Sequence, residues 1–298
     1  MIYFKWVCLS TVLYFLLGCA SVGTVHNEIN YDTKPAEASK ERLSRAELAF
    51  NRGRFADALQ QYSEVLRQDP NHRDALIAVG RIYLQVGQLR TAISYFSKVL
   101  EANAEDAVAA EERGLAHFKL DERETALADF QLALRVDPGR WRSWNVLGIL
   151  ADLNGNSVDA RAYYYRALEV IPESPTLINN IGYSFLMDGH YAQAESMLHK
   201  GLVMGFEDLV MRNNLSMAIA WQGRYEEAIQ VIDGVLPRHS ALNNVGYIAM
   251  SRGDIEKAKQ LFNKALDISP SYYVRAAKNL SKAESMAIVE LKASHPPE

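Results

Sequence analysis

The sequence has 298 residues, with 32 Lys and Arg against 36 Asp and Glu, for a formal net charge of −4. That balance offers no basic stripe, which argues against nucleic acid as a partner, and it does not favour acidic substrates. Hydrophobic residues make up 49 % of the chain, ample for a buried core, and no β-branched alternating run competes with a helical period, so the expected fold class is all-α.

The chain opens on a positive start at Lys5, followed by an apolar run from Trp6 to Leu17. This run has signal-peptide length and is too short to span a bilayer permanently. It ends in Leu16-Leu17-Gly18-Cys19. That tetrapeptide resembles the lipobox of bacterial lipoproteins, in which the cysteine becomes the first mature residue and carries lipid. The resemblance implies a signal peptide over 1–18 and lipidation at Cys19. The other cysteine, Cys8, would leave with the signal, so no disulfide is expected. Several acyl chains, at about 0.8 kcal/mol per buried methylene, make such an anchor long-lived. Ala20, rather than aspartate, follows the cysteine, which by the same resemblance implies a periplasm-facing position at the outer membrane. Residues 19–38, with Asp32 and Pro35 among polar neighbours, read as a flexible tether.

A repeat with a step of 34 residues begins after the tether. Gly80, Gly114, Gly148 and Gly182 keep that step, and so do Ala58, Ala92, Ala126, Ala160, Ala194 and Ala228. Tyr62, Phe96, Phe130 and Tyr164 each follow a ladder alanine by one helical turn, and Pro70, Pro138 and Pro172 close their repeats. Antiparallel helices approach closely only where small side chains face each other, so a glycine on the first helix and an alanine on the second are expected to mark each crossing, with the aromatic beside them. Proline cannot continue a helix and falls between units. Turn signals divide each unit at Gly53-Arg54, Gly87-Gln88, Gly155-Asn156, Gly189-His190, Gly223-Arg224 and Gly253-Asp254.

These columns resemble the tetratricopeptide repeat (TPR) family, best seen in Trp144, Leu147-Gly148, Ala160, Tyr164, Ala167 and Pro172. The resemblance implies a right-handed α-solenoid of about seven helix pairs, starting near Ser39, Arg73, Ala107, Trp141, Pro175, Leu209 and His239. The array would cover 39–270, with a C-terminal capping helix over 271–293 and a tail over 294–298. Ala104 replaces a closing proline, His117 sits in the tyrosine column and Ser216 replaces the ladder glycine. The sixth unit ends early at Leu236-Pro237, where a local change of geometry is expected.

Catalytic patterns are absent from the sequence. It contains no phosphate loop, G-x-G-x-x-G, H-E-x-x-H or G-x-S-x-G, and the seven histidines are scattered. His117 reads as a satisfied core histidine, Tyr164 as core, and the pairs Glu111-Glu112 and Glu226-Glu227 as solvated helix faces. No enzyme activity, cofactor or metal is expected.

Asn179-Asn180, Asn213-Asn214 and Asn243-Asn244 recur at one repeat position, partly anticipated by Trp144-Asn145. In the TPR family the first helices line a concave groove. That geometry implies a groove row of Asn145, Asn179, Asn213 and Asn243, with Tyr183, Met217 and Tyr247 one turn beyond. Amides both donate and accept, so such a row can read the backbone of a bound protein segment. The alternative is that the asparagines bond neighbouring repeats and set the stacking. Arg81, Lys119 and Arg142 do not form the cationic pattern of the family's carboxylate clamp, so an acidic chaperone tail is not expected.

The segments from Asn179 to Glu195, Asn213 to Ala228, Asn243 to Ala258 and Ser271 to Leu280, together with the lipobox, resemble the TadD family of tight adherence (Flp) pilus assembly lipoproteins. The resemblance implies a non-catalytic outer-membrane adapter that supports assembly of the pilus secretin, with the secretin or an accessory component as protein partner. Scaffolds for cell-wall enzymes and type IV pilus pilotins share the same framework and are the alternative.

Overall fold

The computed structural model describes residues 35–205, 209–271 and 273–294. The signal segment and Cys19 lie outside the described residues. The chain divides into two compact units, 1–41 and 42–298. In the first, the described part is the opening of helix α1 (Pro35–Asn51). That helix begins at Pro35, inside the segment read as tether, because proline is suited to a first helical turn and alanine and glutamate continue it readily.

Among the described residues, the regular structure of the second unit is all helical apart from one isolated bridge. It completes α1 and pairs it with α2 (Phe55–Gln68). Four pairs follow: α3 (Arg73–Gln85) with α4 (Leu89–Ala102), α5 (Ala107–Lys119) with α6 (Arg123–Val136), α7 (Trp141–Leu153) with α8 (Ser157–Val170), and α9 (Pro175–Met187) with α10 (Tyr191–Val203). The array ends with α11 (Leu209–Trp221) and α12 (Tyr225–Ile232), α13 (Arg238–Ser251) and α14 (Ile255–Asp267), and a closing helix α15 (Val274–Ser294). The unit is thus a solenoid of seven helix pairs with a helical cap.

The ladder alanines lie in its core. Ala58, Ala92, Ala126, Ala160, Ala194 and Ala228 are all fully buried. The glycines do a different job from the one expected. A Cβ on Gly80 would lie 2.5 Å from Phe96, and one on Gly182 would lie 2.5 Å from Leu198. Each glycine therefore vacates space for the large side chain one turn beyond the ladder alanine, so that this side chain, rather than the alanine, occupies the crossing. Where Ser216 replaces glycine, its hydroxyl is buried and donates to the Ala228 carbonyl at 2.7 Å. In the third pair, Asp121 takes the left-handed turn conformation, with φ of 59°, that glycine supplies elsewhere.

The sixth pair is short. Helix α12 has 8 residues, against 14 in α8. It stops in a tight turn in which the Val235 and Leu236 amides both donate to the Ile232 carbonyl, at 3.1 and 3.3 Å. An isolated bridge between Asp233 and Leu236 follows, and Arg238 opens the next helix.

Candidate functional site

The first helices carry the asparagine pairs at equivalent turns, and those pairs bond across repeats. Asn180 Nδ2 donates to Asn145 Oδ1 at 2.8 Å, and Asn214 Nδ2 donates to Asn179 Oδ1 at 2.9 Å. At the end of the array, Asn279 of α15 donates to Asn243 Oδ1 at 3.0 Å. In each rung the later asparagine lies 35 or 36 residues beyond the earlier one. Asn145, Asn179 and Asn243 thus commit their carbonyls to neighbouring helices, the inter-repeat role that the sequence left as the alternative.

One rung is missing. Asn244 lies only 31 residues beyond Asn213, because the sixth unit is short. Asn213 Nδ2 turns instead to Met217 Sδ at 3.5 Å, and Asn243 Nδ2 makes a long contact of 3.4 Å to Asn244 Oδ1. A pocket of 310 Å³ lies there, lined by Asn213, Met217, Asn243, Asn244, Tyr247, Ile248, Arg275 and Asn279. It brings together four of the seven residues proposed for the groove row, Asn213, Met217, Asn243 and Tyr247. Asn145, Asn179 and Tyr183 lie outside it. Arg275 and Asn279 were missed in the sequence, although Asn279 follows Asn243 by 36 residues, within one of the interval of 35 that joins the other rungs.

The face carries little negative charge. Helices α9, α11 and α13 contain no Asp or Glu. Arg275 lines the pocket, and no ion pair holds it among the described residues. Tyr183 and Tyr247 present 41 % and 49 % of their surface to solvent. Such rings supply contact area at low entropic cost.

A second pocket, of 520 Å³, lies among α1, α3 and α5, with Glu47, Phe50, Arg73 and Arg81 in its wall. The cations there are engaged. Glu111 and Glu112, read from sequence as a solvated pair, are both buried. Glu112 Oε1 accepts from Arg81 at 2.8 Å and from Arg142 at 3.3 Å. Glu111 accepts from Arg140 at 2.9 Å and from the Ser143 hydroxyl at 2.8 Å. The network ties α5 to α3 and α7, and it occupies Arg81 and Arg142. Glu226 and Glu227 are exposed, as read, and pair with Lys257 and Arg224. His117 is satisfied by Glu122 at 2.6 Å.

Among the described residues no group of three or more His, Cys, Asp and Glu could hold a metal ion, and no helix is long and apolar enough to cross a membrane. Tyr163, next to the core residue Tyr164, stacks on Trp144 with centroids 5.9 Å apart.

Comparison with known proteins bears on the fold. Among solved structures, a tetratricopeptide repeat protein from Parabacteroides merdae superposes with a TM-score of 0.59 at 19 % identity, covering 83 % of this chain and 99 % of that one. The C-terminal part of a TPR repeat-containing protein from Cytophaga hutchinsonii gives a TM-score of 0.61 at 17 % identity, over 80 % and 99 %. These likenesses show the fold alone. The human protein O-mannosyl-transferase TMTC1 is 23 % identical over 45 % of this chain and 20 % of its own length. A probable UDP-N-acetylglucosamine–peptide N-acetylglucosaminyltransferase SPINDLY of Hordeum vulgare is 32 % identical over 47 % of this chain and 16 % of its own length. The chain spans no more than about a fifth of either of these curated relatives. Tetratricopeptide-repeat family descriptions match residues 43–108, 77–134 and 111–176, and again 239–272. Together they cover just over half of the sequence, and the chain belongs to the tetratricopeptide repeat family.

Proposed function

We propose that this chain is a non-catalytic adapter that binds a protein segment along its first-helix face, held at the outer membrane by lipid on Cys19, and that it serves assembly of a tight adherence (Flp) pilus secretin. The acid-free face of α9, α11 and α13 carries the proposal. In a chain with net charge −4, a long wall without carboxylates that exposes Tyr183 and Tyr247 beside a pocket is the surface best suited to a polypeptide. Support for the pilus and the anchor comes from the lipobox-like Leu16-Leu17-Gly18-Cys19 and from the resemblance of the Asn-Asn segments to pilus assembly lipoproteins.

The test uses the lipidated full chain and the purified secretin of the same cell. Wild type should retain the secretin on an affinity column, and the triple change Tyr183→Ala, Met217→Ala, Tyr247→Ala should lose it while circular dichroism is unchanged. Retention by the folded triple variant sinks the groove reading. Retention of a cell-wall hydrolase in place of the secretin would move the chain to the scaffold alternative.

A further inference from the structure

The rungs follow one rule. An asparagine on one odd-numbered helix donates to an asparagine on the odd-numbered helix before it, as Asn180 does to Asn145, Asn214 to Asn179, and the lone Asn279 to Asn243; Asn180 and Asn214 are each the second residue of an Asn-Asn pair, the place Asn244 holds on α13. By that rule Asn244 should donate to Asn213, and no such bond forms. The cause is local. Helix α12 is cut to 8 residues, so α13 enters at a shifted register, and the rung that joins α11 to α13 opens.

The opening coincides with the pocket of 310 Å³, and both asparagines of the failed rung line it. Asn213 Oδ1 and Asn244 Nδ2 have no hydrogen bond among the described residues. The two asparagines that would form this rung both line the pocket without bonding to each other. A carboxamide can donate to one and accept from the other at the same time. Beside it, Met217, Tyr247 and Ile248 give an apolar wall.

We infer that the interrupted rung is a peptide-recognition subsite, in which an amide group of the partner replaces the missing Asn244–Asn213 bond and an adjacent apolar side chain seats on Met217, Tyr247 and Ile248. The inference rests on the adapter reading and specifies where on the first-helix face the partner is read. A carboxamide can come from the main chain or from a Gln or Asn side chain. In both cases it donates and accepts at once, which an ester or a lone carboxylate does not.

Two defined probes separate these sources. Acetyl-leucine N-methylamide presents main-chain amides beside an apolar side chain, and 4-methylpentanamide presents a primary carboxamide on a similar tail. Each is titrated into the labelled chain while the asparagine side-chain amide and methionine methyl resonances are followed. Saturable shifts are expected at Asn213, Asn244 and Met217 and not at Asn180 or Asn214, whose rungs are closed, and the tighter probe identifies the source. Asn244→Ala should weaken binding about tenfold, the equivalent of one well-made hydrogen bond, whereas Asn214→Ala should leave it unchanged. Equal shifts at open and closed rungs, no shift at Asn244, or unaltered binding by Asn244→Ala overturns the subsite. If the triple groove variant still loses the secretin in that case, the adapter reading stands without it.

Discussion

A Cβ placed on Gly148 would lie 2.4 Å from Cε1 of Tyr164. The ring fills the space that a side chain on α7 would need, and its hydroxyl reaches on to Asp152 at 3.0 Å. Gly148→Ala gains about 1 kcal/mol of helix propensity. It also forces a ring held by that hydrogen bond to move, an overpacking cost of about 1 to 3 kcal/mol. The expected outcome is a lower melting temperature. Stabilisation by Gly148→Ala alone would contradict this packing.

The repeat was readable because close packing leaves a periodic trace. A buried alanine and a large neighbour one turn on must recur wherever the same crossing recurs. What the glycine faces was not readable, since both partners of the crossing carry the same period. Glu111 and Glu112 were misread for another reason. Adjacent acids look solvated until the cations one repeat away, Arg81, Arg140 and Arg142, are recognised as their partners. The asparagine pairs announced a ladder, but two columns with one period could not say which bonds to which. Only the Asn243–Asn279 rung reveals that the cap helix belongs to it.

The buried acids should be sensitive to loss of one partner. Glu111 is 3 % exposed at its side chain and Arg140 17 %. Removing one member of a buried pair strands the other charge and costs about 3 to 5 kcal/mol, whereas removing both is far milder. Arg142 stays 3.7 Å from Glu111 and offsets part of that charge, so Arg140→Met should destabilise in urea by less than this, and the double change with Glu111→Leu should recover part of the loss. Additive effects would show that the two residues do not interact.

Alkali should loosen the junction of the last two pairs. Burial, together with the bond to Asp254, pushes the Tyr225 phenol up to about 12, although Arg252 opposes the shift. A raised folded value means that the neutral phenol is favoured by folding. That stability is complete below the ordinary phenol value of about 10 and is lost as pH rises through about 12. Melting temperature should fall across that window, and Tyr225→Phe should flatten the fall. An identical decline in the phenylalanine variant would assign the effect elsewhere.

Acid acts at the other end of the array. Burial alone would raise the Asp106 carboxyl, but the Arg73 guanidinium and the Ala109 amide, at 2.9 Å, outweigh it and hold the group below the usual carboxylate range. A depressed folded value contributes stability above the ordinary carboxylate range and loses it as pH falls through the lowered value. Asp106→Asn should therefore melt lower than wild type at neutral pH, with the gap narrowing in acid. A gap that is constant with pH would remove Asp106 from the acid response.

Closed and open rungs differ in what each asparagine is worth. Asn214 is buried and supplies the donor for Asn179, so Asn214→Ala leaves a carbonyl between two helices without its partner. That loss costs about 1 to 3 kcal/mol. Asn244 occupies the equivalent position one repeat later, has no partner across the gap and is only partly buried. Asn244→Ala should therefore change stability by no more than about 0.5 kcal/mol, as for a surface position free of such bonds. Urea unfolding of the two variants under one condition checks the contrast directly. Equal losses would mean that Asn244 is bonded in solution and that the short α12 leaves the ladder intact. A clear gap would locate the break in the ladder where the sixth pair is cut short, between α11 and α13.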